Sequence, residues 1–166
     1  GTEPATETAP LNPLSVYAET KVAFEQALLD QRQGFDFHPV ILRLATVFGL
    51  SPRMRFDLTV NEFSRAIAAG VKLDVYDKDT WRPYCHVRDI CQAILAVLHA
   101  PDRKVSGEVF NVGSDANNLT KEQIVNEVLR HVAGDVRFVD GGGDRRNYRV
   151  SFAKIREKLG FRARYG

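Results

Sequence analysis

The sequence predicts an α/β fold in which a parallel sheet is only partly present. Three observations predict it. Segments of helical and of strand periodicity alternate along the chain without repeats or low-complexity stretches. The run VILRLATVF at 40–48, set between Pro39 and Gly49, is apolar almost throughout, as in a strand buried on both faces. Only two or three segments could serve as central strands, against about five or six in a self-sufficient doubly wound sheet.

The elements follow in order. The opening GTEPATETAP is polar and acidic, and the loop runs to about Pro13. It reads either as a mobile terminal tail or as the interior of a larger protein. Ser15 can cap a helix running from residue 16 to about Gln33, with apolar side chains at 16, 17, 23, 24, 27 and 28 and Gly34 as its stop. After the 40–48 strand, GLSPRMRFD is a loop rich in Gly, Pro and Arg. Residues 57–69 read as a helix with Asp57 as N-cap and Gly70 beyond its end. KLDVY alternates as a short strand, DKDTWRP is a turn, and PYCHV is a second short strand. Residues 88–99 form a strongly amphipathic helix ended by Pro101, and GEVFNVG is a strand entering a glycine turn. Thr120 with Gln123 three positions later makes a capping box for KEQIVNEVLRHVA. VRFVD is a short strand, GGGDRRN a loop, and SFAKIREKLG a last helix that begins after a Ser151 cap.

Composition narrows the function classes. In 166 residues, 44% are hydrophobic and 27% charged, which is globular rather than disordered. A net charge of +2 gives no field that would gather nucleic acid, and the basic residues are interleaved with acids. Cys85 and Cys91 are too few for a secreted disulfide framework. Cys85, His86 and Cys91 also lack zinc-ligand spacing. No apolar run approaches the ~20 residues needed to span a bilayer. The expectation is a cytoplasmic protein with neither nucleic acid nor membrane as partner and with no metal. His86 then reads as a strand or core histidine, and Asp89 as a charge favourable at a helix N-terminus.

The chemistry is concentrated in SVYAETK, residues 15–21. Tyr17 and Lys21 stand four apart and so share a helix face. An ammonium beside a phenol favours the phenolate, and a tyrosine so activated can take a proton from a substrate hydroxyl. The same spacing also arises as an ordinary surface pair, so the motif gains meaning only from its surroundings.

Those surroundings carry a resemblance. The stretch PATETAPLNPLSVYAETKVAFEQALL resembles the extended short-chain dehydrogenase/reductase family, the nucleotide-sugar epimerases and dehydratases. ILRLATVFG is similar to that family's buried strand ending in an aromatic-glycine pair. AAGVKLDVYDKDTWRPYCHVRDICQAI resembles its succession of strand, turn, arginine, strand and Val-x-Asp opening a helix. GEVFNVGSDANNLT and YRVSFAKIREKLGF are similar to its late strand and final lysine-containing helix, so the likeness covers essentially the whole chain.

The resemblance implies an incomplete Rossmann-type sheet, its last strands, joined to the small C-terminal substrate-binding lobe. It implies one α/β unit over 1–166, the C-terminal part of an NAD-dependent epimerase/dehydratase, without the N-terminal glycine-rich cofactor-binding part. Tyr17 resembles the catalytic base, and Lys21 the residue that stabilises the phenolate and holds the nicotinamide ribose. Both therefore count as catalytic and cofactor-binding. Arg82 in WRP resembles the arginine that grips a nucleotide-sugar diphosphate, a task suited to a planar, permanently charged guanidinium. Its other reading is a turn residue paired with Asp79. Arg146 resembles a second arginine near the diphosphate, with Arg145 as a competing choice and an exposed basic loop as the plain alternative. Asn61 could reach the nucleotide or be a solvated helix residue. Thr46 stands where relatives often have an Asn that reaches the pyrophosphate, a departure that bears on the substrate.

The chain contains no GxGxxG turn, the device that seats a dinucleotide phosphate on a helix N-terminus. GGGD at 141–144 opens no dinucleotide-type unit. The family's catalytic Ser/Thr would precede Gly1. Three readings follow. The chain is part of an NAD(P)-dependent nucleotide-sugar epimerase, dehydratase or reductase, inactive and without NAD or NADP when alone. Alternatively it is a non-catalytic nucleotide-sugar-binding module, or an interaction remnant that uses an exposed sheet edge. The partners expected are a nucleotide-diphosphate sugar and either a second copy or a complementing N-terminal portion.

Overall fold

The chain starts its first helix where a side chain can accept the orphan N–H groups: the Ser15 hydroxyl takes the Ala18 N–H at 3.2 Å. The computed structural model describes residues 3–30, 37–143 and 146–165. Helix α1 spans Val16–Asp30, and strands β1 (Ile41–Leu44) and β2 (Thr46–Phe48) follow. Then come α2 (Thr59–Ala68), β3 (Leu73–Tyr76), β4 (Trp81–His86), α3 (Val87–Leu98) and the single turn α4 (Asp102–Val105). The chain continues through β5 (Val109–Val112), a 3₁₀ turn at Asp115–Asn117, β6 (Asn118–Thr120) and α5 (Lys121–Leu129). It finishes with β7 (Val136–Val139) and α6 (Ala153–Leu159). Among the described residues no helix is long and apolar enough to cross a membrane.

The expected alternation of helix and strand is present, and most pairings are parallel. β1 lies parallel to β5, in the register Ile41↔Val109 to Leu44↔Val112. β2 lies parallel to β4, and β3 parallel to β7. β6 adds an antiparallel edge to β4, with Arg82 opposite Leu119. β6 and α4 have no counterpart in the sequence reading.

The single strand expected over 40–48 is two strands. The chain changes partner at Ala45, whose N–H donates to the Val112 carbonyl at 3.0 Å before Thr46 opens the pairing with β4. Nor is the run buried on both faces. Leu42 and Val47 pack on the core, whereas Leu44 remains 47% exposed. On the opposite face of β1, Arg43 in the middle of the run turns to polar partners, Glu25 and the Glu7 carbonyl.

Two apolar cores result. One packs β1 and β5 against α3 and α6 through Ala45, Ile90, Phe110, Val112, Phe152 and Ile155. The other packs α2 and α5 on β3 and β4 through Phe63, Ile67, Val75, Tyr84, Ile124 and Val125. At Gly113, between strand and turn, an added Cβ would stand 2.5 Å from the Phe152 ring and 3.1 Å from Ala45. That close approach requires glycine.

Caps decide the helix ends. Thr120 and Gln123 form the expected capping box on α5, at 3.2 and 2.9 Å. Asp57 does not cap α2. Leu58 occupies the N-cap without a side-chain bond, because the Asp57 carboxylate is held by Arg55 at 2.8 and 2.7 Å. That pairing holds the carboxyl down at about 2. Phe152 rather than Ser151 is the N-cap of α6, since the Phe152 ring is drawn into the core. The expected end of α1 at Gln33 and Gly34 lies outside the described residues. α1 itself carries no buried residue, with Val16 74% and Phe24 66% exposed, so the apolar face anticipated for it is not covered.

The opening loop is stitched to the body rather than loose. Ala5 bridges Val150 in parallel, and its N–H donates to the Arg149 carbonyl at 2.8 Å. The Glu7 carboxylate accepts the Asn111 N–H of β5 at 2.9 Å. The Asn111 side chain in turn donates to the carbonyls of Ala5 and Ser151.

Candidate functional site

This stitching encloses a cavity of about 980 Å³. Its walls are the loop 5–15, the first turn of α1, the end of β1, the start of β4, Gly143 and the segment 146–152. The volume falls at the upper end of the ordinary range for small-molecule sites. Three arginines line it, Arg43, Arg82 and Arg146, and no Asp or Glu does so among the described residues. Arg43 is committed to the Glu25 carboxylate, which it meets with Nε at 3.0 Å and with its terminal nitrogen. An anionic ligand entering the cavity would meet Arg82 and Arg146 on its wall.

Tyr17 lines the same cavity and is 73% exposed. Lys21, one turn later, sets its ammonium 5.4 Å from the centre of the Tyr17 ring. The pair therefore shares a helix face as its spacing predicts. Arg82, half-buried on β4, stacks on Tyr148 with 5.4 Å between guanidinium carbon and ring centre. Arg146 sits on the exposed loop beyond Gly143, while Arg145 lies outside the described residues.

Lys21, Thr46 and Asn61 are not among the residues that line the cavity. Thr46 is paired with Tyr84 in the sheet. Asn61 holds the loop after β2: its Oδ1 accepts the Gly49 N–H at 3.1 Å and its Nδ2 donates to the Arg55 carbonyl at 3.0 Å. Its amide is engaged within the protein.

Several residues of structural consequence were not singled out by sequence. Asn111 and Arg43 are polar interruptions of apolar strand runs, and that interruption was the available signal. Asp89 is fully buried, and its two carboxylate oxygens accept the main-chain N–H groups of Arg164 and Tyr165 at 2.9 and 3.0 Å. It anchors the C-terminal segment rather than serving only as a charge at the start of α3. His86 caps α3, its Nδ1 accepting the Arg88 N–H at 3.2 Å, and its ring lies 5.0 Å from that of Tyr165. Cys85 is buried and Cys91 exposed. Burial, with the Asp89 charge adding to it, pushes the Cys85 thiol up to about 12. Among the described residues no group of three or more His, Cys, Asp or Glu side chains could hold a metal ion.

The mixed α/β fold with its parallel strand pairs is of Rossmann type, and the comparisons with known proteins give its family. Residues 1–113 match the model of the NAD dependent epimerase/dehydratase family, and the chain belongs to that family. It is similar to a dTDP-glucose 4,6-dehydratase of an Actinoplanes species, 30% identical over 159 residues, covering 93% of this chain and 48% of the relative. A UDP-glucose 4-epimerase of Lactobacillus helveticus is 29% identical, with 98% of this chain and 54% of the relative covered. Among solved structures, the Thermus thermophilus UDP-glucose 4-epimerase in complex with NAD superposes with a TM-score of 0.82 at 26% identity, covering 99% of this chain and 54% of that one. The chain thus spans about half the length of the relatives it matches.

Proposed function

We propose that this chain carries the proton-transfer helix and the diphosphate-holding lobe of an NAD(P)-dependent nucleotide-sugar epimerase, dehydratase or reductase. One observation carries the reading. Tyr17 opens onto the same cavity as Arg82 and Arg146.

In this reading the guanidinium groups of Arg82 and Arg146 bind the diphosphate, which orients the sugar toward α1. The Tyr17 oxygen, as phenolate, receives the proton of a sugar hydroxyl. The Lys21 ammonium, over the ring, stabilises that phenolate by its charge. When bound, the nicotinamide supplies the hydride acceptor. The open face of α1 at Tyr17 and Lys21 suits the nicotinamide-ribose end of such a cofactor. No glycine-rich turn for its pyrophosphate occurs in the sequence. This chain alone is therefore expected to turn over no substrate and to bind neither NAD nor NADP tightly. It is proposed to function as the C-terminal part of a longer enzyme. The exposed Val16 and Phe24 of α1 favour association with a complementing chain or a second copy.

Thermal unfolding tests the reading. UDP-glucose or dTDP-glucose should raise the melting temperature of the chain, and the rise should vanish in Arg82→Ala. Equal shifts in the two proteins would refute the assignment. A calorimetric titration with NAD that returned micromolar affinity would contradict the expected lack of cofactor binding.

A further inference from the structure

Asn111 interrupts the apolar run of β5 and is buried to all but 4% of its surface. Burial of that kind leaves an amide few ways to satisfy its two donors and its oxygen. Its Nδ2 donates to the Ala5 carbonyl at 3.4 Å and to the Ser151 carbonyl at 3.2 Å. Both partners are acceptors, so they fix which end of the amide is which: a flipped side chain would set oxygen against oxygen. The Asn111 main-chain N–H is taken by Glu7 Oε1 at 2.9 Å. Every donor of the residue is thus spent on tying the opening loop and the segment before α6 to β5. Its Oδ1 accepts from no group among the described residues, and it is not sealed away from solvent. Asn111 lines the same cavity as Tyr17, so the space that Oδ1 meets is the cavity's.

We infer that Asn111 is a hydroxyl-reading residue of this site, its Oδ1 accepting a hydrogen bond from one O–H of the bound sugar nucleotide. The inference rests on the reading of the cavity as a nucleotide-sugar site. An amide oxygen is a neutral acceptor. It suits the O–H groups that a sugar nucleotide carries on hexose and ribose, and it has nothing to offer a phosphate oxygen. The division of labour within one side chain makes that oxygen selective. With its NH2 held by two carbonyls, the amide cannot turn over to present a donor, so a ligand acceptor placed there would meet oxygen. A ligand lacking the hydroxyl would leave a largely buried acceptor unmatched. Sites built in this way reject the missing group far more strongly than an apolar pocket rejects a missing methylene. The placement is also firm. Asn111 stands on a strand, in register with Arg43 of β1, whose guanidinium Glu25 holds.

Calorimetric titration with UDP-glucose, and with analogues that each lack one hydroxyl of the hexose or of the ribose, tests this. In the wild-type chain at least one analogue should bind about 5- to 100-fold more weakly than UDP-glucose, the span expected when a buried acceptor loses its donor. Its identity separates a hexose contact from a ribose contact. In Asn111→Ala that analogue and UDP-glucose should bind within about 2-fold of each other, whatever their common affinity. Asn111→Ser supplies the same comparison if the alanine variant does not fold. Loosening of the opening loop would instead weaken every ligand alike. Glu7→Ala removes the acceptor of the Asn111 N–H and controls for that effect, so it should keep the wild-type ratio. Wild-type binding in which no single hydroxyl matters, as for a resident water on Oδ1, overturns the inference and leaves the cavity assignment standing. A ratio that persists in the Asn111 variants overturns it as well, and so does a ratio lost equally in Glu7→Ala. A wild-type chain that binds no sugar nucleotide overturns both readings.

Discussion

Glu25 of α1 holds Arg43 of β1 with both carboxylate oxygens, and the side chains are only 12% and 23% exposed. Arg43 extends the link by donating to the Glu7 carbonyl at 3.0 Å. A helix with no fully buried residue is thereby tied to the sheet by a charged pair. Glu25→Ala should destabilise the chain by about 2–3 kcal/mol, somewhat less than the ~3–5 of a fully buried pair, because a half-buried guanidinium is left unmatched. The double variant Glu25→Ala/Arg43→Ala should lose less than the sum of the single losses. Urea unfolding of the four proteins measures the coupling, and additive losses would mean that the pair contributes nothing.

Asp89 ties the C-terminal segment through two main-chain N–H groups. Asp89→Ala should strip protection from the Arg164 and Tyr165 amides and cost about 2–4 kcal/mol, since hydrogen bonds to a buried charge contribute ~1.5–3 each and do not add fully. Hydrogen exchange read residue by residue gives the answer. Unaltered rates at 164 and 165 would contradict the anchoring role.

Acid should weaken the fold through Glu108. Lys154, first, and Lys158 hydrogen-bond its two oxygens at 2.7 and 2.6 Å and hold its carboxyl below the usual range. A lowered folded-state value means that the unfolded chain binds the proton more readily. The contribution is therefore complete above the unfolded value of ~4.3 and is lost as pH falls below it toward the folded value. Unfolding free energy measured between pH 5 and pH 3 (about the span of this titration) should fall less steeply in Glu108→Gln than in wild type. Identical slopes would exclude the residue.

The two thiols should separate cleanly in labelling. Cys91 is exposed, whereas Cys85 is buried and its thiolate is disfavoured up to about 12. One thiol should react with an aromatic disulfide reagent in native protein, and the second only at the rate of unfolding. Two fast equivalents would show that the core around Cys85 opens readily.

Much of the fold was legible because local signals agreed with the final arrangement. Thr120 and Gln123 cap α5 as their spacing indicates, and Ser15 starts α1. The failures share a physical origin. Asp57 is a good cap by type, but Arg55 two residues earlier captures its carboxylate, and a sequence reading of caps does not weigh that competitor. The run 40–48 was read by its apolar majority, although it holds Arg43, whose guanidinium takes polar partners, and the strand passes to a new partner at Ala45. At the site, YxxxK and WRP were conspicuous because motif spacing is local. Tyr148 and Asn111 were not, since their roles arise from contacts with residues 66 and more than 100 positions away, with Arg82 and Ala5.

The change of partner at Ala45 has an evolutionary corollary. Residues 41–48 are hydrogen-bonded to β5 on one side of Ala45 and to β4 on the other, so one short stretch sets the registration of both cores. Inserting or deleting a residue there would misalign Arg43 with Glu25 and Thr46 with Tyr84 in the same event. Length variation among related chains should therefore collect in the loops after Gly49 and Gly141 and be nearly absent between 41 and 48. Diversification within the family would then proceed by exchanging loop residues around a segment whose length stays constant.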